Sequence, residues 1–148
     1  MSEDIRIRVA GLYVENGKLL LVKHHKFGKD YYLLPGGGQE KGETVTQALA
    51  REMQEELSVD IVSSGLLFSG ESVPHKGIER RQVMQLVLRI DTIQGELKLV
   101  PDGPLVGHYW ADFEELDQLT IYPLCISQIK DVLTGKTPES FVSYPWLD

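Results

Sequence analysis

GGGQEKGETVTQALAREMQEEL, Gly36 to Leu57, opens on three glycines and closes with Glu52, Glu55 and Glu56 crowded near the end of a helix. Thr44 followed three residues later by Gln47 is a capping box and starts that helix, which runs from about Thr44 to Leu57. At about 100° per residue, Val45, Leu49, Met53 and Leu57 share a face that packs on a sheet. The three glutamates fall on an adjoining arc of about 100°, beside the edge of the core. Like charges at these spacings each destabilise a helix by about 0.2–0.5 kcal/mol, and acids in the last turn also meet the negative end of the macrodipole. Two explanations fit such a cluster. One is a solvated charge run in which Arg51 pairs with Glu55. The other is a bound divalent cation, which reverses both penalties; Mg2+ takes one or a few carboxylates and completes its octahedron with waters and substrate phosphates. The glycines before the helix serve a plain turn, or let peptide groups approach a metal or phosphate closely.

Outward from this stretch, the chain alternates strands and helices. Ile5 to Val14 (IRIRVAGLYV) reads as a strand, Asn16-Gly17 as a tight turn, and KLLLVKHH as its hairpin partner. YYLLP is a short extended piece leading into the glycines. VDIVSSGLLFSGESV, ERRQVMQLVLRIDT, ELKLV and VGHYWA read as further strands, and Phe113 to Leu119 and Tyr122 to Leu133 as helices, the second stopping at Gly135. The order is that of a mixed α/β protein. The chain of 148 residues suits one domain, 1–148, with 138–148 as an irregular tail whose Phe141, Tyr144 and Trp146 pack on the body or on a second subunit.

The net charge of -7 argues against a nucleic-acid or anionic-membrane binder, because both need a basic surface to replace counterions. No apolar run approaches the roughly 20 residues that cross a bilayer. The lone Cys125 forms no internal disulfide, and MSEDIRIRV lacks the basic and then apolar pattern of a signal peptide; a cytoplasmic protein is expected.

Gly37, then Glu43, then Arg51-Glu52-Met53-Gln54-Glu55-Glu56-Leu57-Ser58-Val59 resembles the Nudix box, G-x5-E-x7-R-E-U-x-E-E-x-G-U with U apolar. The box covers about a sixth of the chain, and LLLVKHHK, YYLLPGG and HYWADFEEL resemble the flanking parts of such domains. Ser58 departs from the glycine usual there, at a place where a left-handed residue often ends a helix. The resemblance implies a Nudix-like α/β/α sandwich with a mixed β-sheet. It also implies hydrolysis of the diphosphate linkage in a nucleoside diphosphate bonded to another group, with Mg2+ or Mn2+. Carried over by position, Glu52, Glu55, Glu56 and the carbonyl of Gly36 are metal ligands, Arg51 orients the glutamates, and Glu43 pairs with Arg51. One further acid from outside the box is expected, Asp102 in VPDGP first and Glu79 second.

Gly37, Gly38, Lys23 and Arg81 are candidates for phosphate contact, Lys23 as part of a basic cluster with His24, His25 and Lys26 that is otherwise a solvated strand end. Arg80 carries the same ambiguity as Arg81. His24 and His25, being adjacent in a strand, point to opposite faces and build no joint metal site. Tyr31 and Tyr32 stack on a base or simply pack. Pro74, fifteen residues beyond Val59, resembles a marker of ADP-ribose hydrolases within the family. The expected substrate is therefore ADP-ribose or a nucleotide sugar. The alternatives are a nucleoside triphosphate, oxidised or not, and a non-catalytic nucleotide sensor of the same fold. The expected partner is a small nucleotide, handled by a monomer or homodimer.

Overall fold

The computed structural model describes residues 4–145. In chain order it contains β1 (Arg6–Leu12), β2 (Val14–Glu15), β3 (Lys18–Lys26), β4 (Lys29–Leu33), β5 (Gly36–Gly38), α1 (Val45–Leu57), β6 (Asp60–Ser72) and β7 (Val83–Gln94). There follow β8 (Leu105–Asp112), a 3-10 helix (Phe113–Gln118), α2 (Ile126–Leu133) and β9 (Phe141–Tyr144). Two sheets form rather than one. The first has the order β5-β1-β7-β6-β9 and is mixed, with β1 parallel to β7 and β6 parallel to β9; the second joins β2, β3, β4 and β8, all antiparallel.

Helix α1 covers one side through Ala48, Leu49, Met53 and Leu57, which meet Val9, Leu20, Val22 and Leu88 from both sheets. On the other side the 3-10 helix and α2 place Leu116 and Ile129 against Leu19, Leu21, Phe68 and Val87. Successive residues of β3 therefore feed opposite cores, as strand alternation requires. The result is the expected α/β/α sandwich.

Several boundaries differ from the sequence reading. The strand expected from Ile5 to Val14 breaks at Tyr13: both edges of β1 are paired, with β5 and β7, and the chain then leaves to start the hairpin in the second sheet. Asn16 and Gly17 take positive φ values of 53° and 74°, as a type I′ turn demands. The expected second helix begins at Ile126, after a cis Tyr122-Pro123 bond, rather than at Tyr122. ELKLV forms no strand. Its Lys98 and Val100 N–H groups donate to the carbonyls of Leu57 and Glu56, at 2.9 Å each, and so satisfy the open end of α1. The tail is not irregular: Phe141–Tyr144 pairs with β6, and Tyr144 sits over Gly70 and hydrogen-bonds Gln128. Trp146 lies outside the described residues.

The capping box forms as read, with Thr44 Oγ1 accepting from Gln47 N–H at 3.1 Å and Gln47 Oε1 accepting from Thr44 N–H at 2.9 Å. At the other end Ser58 adopts φ 60°, ψ 33°, the left-handed conformation that glycine takes more cheaply. Ser58→Gly is expected to raise the unfolding free energy by up to about 1 kcal/mol. A urea midpoint moving upward at unchanged slope is the result to look for, and a lower midpoint contradicts the strain.

Candidate functional site

The glycines and the C-terminal half of α1 meet because β5 lies on the edge of the first sheet, directly under the helix. Gly36 has φ 151°, and a Cβ there would overlap the carbonyl oxygen of Val9 and come within 2.7 Å of Ala10 Cα. At Gly37 a Cβ would occupy the space that the Glu52 carboxylate fills. These two positions need glycine for close approach, one of backbone to backbone and the other of backbone to an acid.

Arg51 is the hub of the acidic cluster. Its Nε and Nη2 donate to the two oxygens of Glu43, at 3.1 and 2.7 Å, and its Nη2 also donates to the carbonyl of Gly38 at 2.9 Å. Nη1 reaches Glu52 at 3.0 Å and Glu55 at 3.2 Å. The Arg51–Glu55 pair of the solvated-run explanation thus exists, but as one arm of a larger network that ties loop to helix. The Arg51 guanidinium holds the Glu43 carboxyl below the usual carboxylate range.

Glu56 is held differently. Its Oε1 accepts from Gly36 N–H at 3.1 Å, and burial pushes its carboxyl up to about 7, against the pull of the nearby Arg8 charge. Arg8, only 8% exposed, donates to Gln85 Oε1 at 2.9 Å and to the Leu34 carbonyl at 2.6 Å, while Gln85 is itself 1% exposed. A buried cation thus faces a buried acid across the glycine loop, each lowering the cost of the other's desolvation.

Glu52, Glu55 and Glu56 line a cavity of about 470 Å³ together with Arg8, Asp102 and Tyr31. A second cavity of about 630 Å³ also has Glu52 in its wall, with Gly38, Lys41 and Glu43. Arg6 and Arg81 border both. Asp102 and Arg81 are thereby brought to the glutamates, as are Gly36, Gly37 and Gly38. Glu79 is exposed in the connection between β6 and β7 and lines neither cavity, and Pro74 sits in the same connection. Lys23 lies elsewhere: it points away from the glutamates and pairs with Asp30 at 3.4 Å, beside the His25–Asp30 contact at 2.6 Å. The reason is alternation, since His24, its neighbour, takes the cavity face.

Arg6, Arg8 and Gln85 were not singled out from the sequence, and His24, expected only as part of the basic cluster with Lys23, is the member of that cluster that lines the cavity. The signal for the arginines was present: in RIRV they alternate with apolar residues, so two cations share one strand face next to the glycine loop. Gln85 likewise interrupts the apolar run of β7. Tyr31 and Tyr32 divide as strand neighbours must, Tyr31 toward the cavity and Tyr32 onto Tyr109, with ring centroids 5.5 Å apart.

Among the described residues, no three acidic, histidine or cysteine side chains converge into a preformed ion cage. The donor set nonetheless fits Mg2+ or Mn2+. Three carboxylates and a backbone carbonyl are hard oxygen ligands, and an ion that keeps several waters and takes substrate phosphates needs only a few of them. The glycine cradle occupied by the Glu52 carboxylate marks where such an acid is held.

Because the folded protein keeps a proton on Glu56 up to about pH 7, while an unfolded chain releases it near 4.5, the metal-free protein binds more protons folded than unfolded in that window. Its stability therefore falls as pH rises from about 4.5 to 7, by on the order of 3 kcal/mol from this group. Melting curves in chelator between pH 5 and 8 should show the decline, and Glu56→Gln should flatten it. Parallel curves for the two proteins would contradict the assignment.

A model of the NUDIX domain matches residues 5–128. The ADP-ribose pyrophosphatase of Methanocaldococcus jannaschii is 37% identical over 115 residues, covering 76% of this chain. The chain spans 63% of that relative's length. Among solved structures, a MutT NUDIX hydrolase from Burkholderia pseudomallei has a TM-score of 0.75 at 23% identity, covering 88% of this chain and 99% of that one. An ADP-ribose pyrophosphatase from Streptococcus suis has a TM-score of 0.62 at 18% identity, covering 96% and 100%. At these identities the structural likeness establishes the fold.

Proposed function

The chain belongs to the Nudix family, and on that premise we propose that it hydrolyses the diphosphate linkage of a nucleoside diphosphate bonded to a second group, ADP-ribose or a nucleotide sugar. The observation that carries this is the acidic cluster itself, Glu52, Glu55 and Glu56 held around the glycine loop by Arg51 and by Gly36 N–H. Beyond the bonds that tie loop to helix, the three carboxylates line one cavity together, where a divalent ion and a diphosphate would meet. The 37% identity to a protein named ADP-ribose pyrophosphatase supports the choice of substrate. So does the presence of two cavities that share Glu52, Arg6 and Arg81, which gives room for more than a single nucleoside phosphate.

In this reading Glu52, Glu55, Glu56 and the Gly36 carbonyl would hold Mg2+ or Mn2+. Such ions neutralise the diphosphate and lower the pKa of an attacking water. Arg51 keeps Glu52 and Glu55 aimed at the cavity, and Glu43 keeps Arg51 in place. Arg6 and Arg81 supply positive charge where the diphosphate crosses between the cavities. Glu56 or Asp102, both in the wall of the cavity, would accept the proton of the attacking water.

The test is a panel of ADP-ribose, nucleotide sugars, dinucleoside polyphosphates and nucleoside triphosphates, each with Mg2+ and with chelator. The expected result is metal-dependent release of a nucleoside monophosphate and a phosphosugar from the first two classes. Preference for triphosphates would replace the substrate, and tight nucleotide binding with no turnover anywhere would make the domain a sensor.

A further inference from the structure

The cavity that holds the glutamates has a second end of different character. His24 and Tyr31 are direct cross-strand partners on β3 and β4, with ring centroids 5.3 Å apart and planes inclined at 56°. Tyr122 meets the Tyr31 ring edge-on at 5.6 Å. Leu33, two residues beyond Tyr31 on the same face, and Leu105 and Pro104 complete an apolar surround. Arg6, Arg8 and Arg81 line the same cavity, and the Arg8 charge acts both on Glu56 and Glu52 and on His24. One cavity therefore combines carboxylates, arginines and an aromatic and apolar wall carrying one imidazole.

That combination of surfaces matches a nucleotide, phosphate at the arginines and base at the rings. The geometry points to His24 and Tyr31 as the surface that reads the nucleobase, Tyr31 by stacking and His24 by a hydrogen bond to the base edge; the inference rests on the proposed nucleotide substrate. Stacking needs a flat π-face in an apolar surround, and Tyr31 supplies one with its orientation fixed by His24 and Tyr122. Burial, and then the Arg8 charge, push the His24 imidazole below its usual value, so the ring is neutral near pH 7 and offers one donor and one acceptor. The second cavity, which shares Glu52, has no aromatic residue in its described wall and takes the other end of the substrate.

The discriminating experiment is equilibrium binding, which does not depend on turnover. The full chain with Mg2+ is titrated calorimetrically with AMP, GMP, CMP, UMP and ribose 5-phosphate. At least one nucleotide is expected to bind about tenfold or more tighter than ribose 5-phosphate. Tyr31→Ala and His24→Leu should each remove most of that advantage and leave ribose 5-phosphate binding within about twofold, while Tyr31→Phe keeps it. Melting temperatures establish that the variants are folded, and His24→Leu carries the test alone if Tyr31→Ala is not. Overturning results are equal binding of all five probes, a preference that survives in folded variants, or equal loss of nucleotide and ribose 5-phosphate. Failure of hydrolysis with this binding pattern intact would remove the proposed reaction and spare the inference; hydrolysis without the pattern would do the reverse.

Discussion

Glu56→Gln is expected to lower kcat by about 10³-fold, because it removes a ligand charge or the base and leaves everything else in place. The amide oxygen of Gln still accepts from Gly36 N–H, the bond that Glu56 makes at 3.1 Å. The Arg8 charge loses a partner, but burial outweighs that attraction at Glu56, so the net cost to the fold is small. At pH 8 the metal-free variant should in fact melt above wild type, since it no longer buries an ionised carboxylate. Activity and stability therefore move in opposite directions, which distinguishes a functional acid from a structural one. Measured kcat within tenfold of wild type would remove Glu56 from the chemistry.

The second large effect separates two neighbouring glycines. Gly36→Ala places a Cβ on backbone, the Val9 carbonyl and Ala10 Cα, and does so at a φ of 151° that an L side chain rarely adopts. Backbone in the middle of paired β1 cannot yield cheaply. A loss of about 4 kcal/mol, or roughly 10 °C in Tm, is expected. At Gly37 the three atoms nearest an added Cβ all belong to the end of the Glu52 side chain, which can swing away. That variant should fold near the wild-type Tm and lose at least about 10²-fold in kcat, through a misplaced acid. Equal melting temperatures for the two variants, or a fully active Gly37→Ala, would show that the loop does not position Glu52.

The contrast between those glycines also explains what could be read from the chain before its structure. Local features were legible: the Thr44/Gln47 capping box, the Asn16-Gly17 turn, the helix arc of glutamates and the left-handed Ser58 all follow from interactions within a few residues. Features set by distant partners were not. ELKLV has the pattern of a strand, but its N–H groups are taken by the carbonyls at the end of α1. The tail has no strand signal, yet β6 offers an edge and Gly70 leaves room for Tyr144. Lys23 is close in sequence to the glycines and so a candidate for phosphate contact, yet strand alternation sets His24 on the cavity face and leaves Lys23 with Asp30. Arg8 and Gln85 act as a pair only because β1 and β7 run parallel with Arg8 opposite Gln85.

Hydrolysis by this site requires divalent ions to be drawn to the carboxylates around the glycine loop. Titration of the protein with Mn2+, followed by loss of the free-ion paramagnetic resonance signal with and without ADP-ribose, tests this most directly. Saturable uptake that nucleotide strengthens, and that Glu56→Gln weakens at least about tenfold, is the predicted result. Uptake that is absent with nucleotide present, or identical in Glu56→Gln, would contradict it.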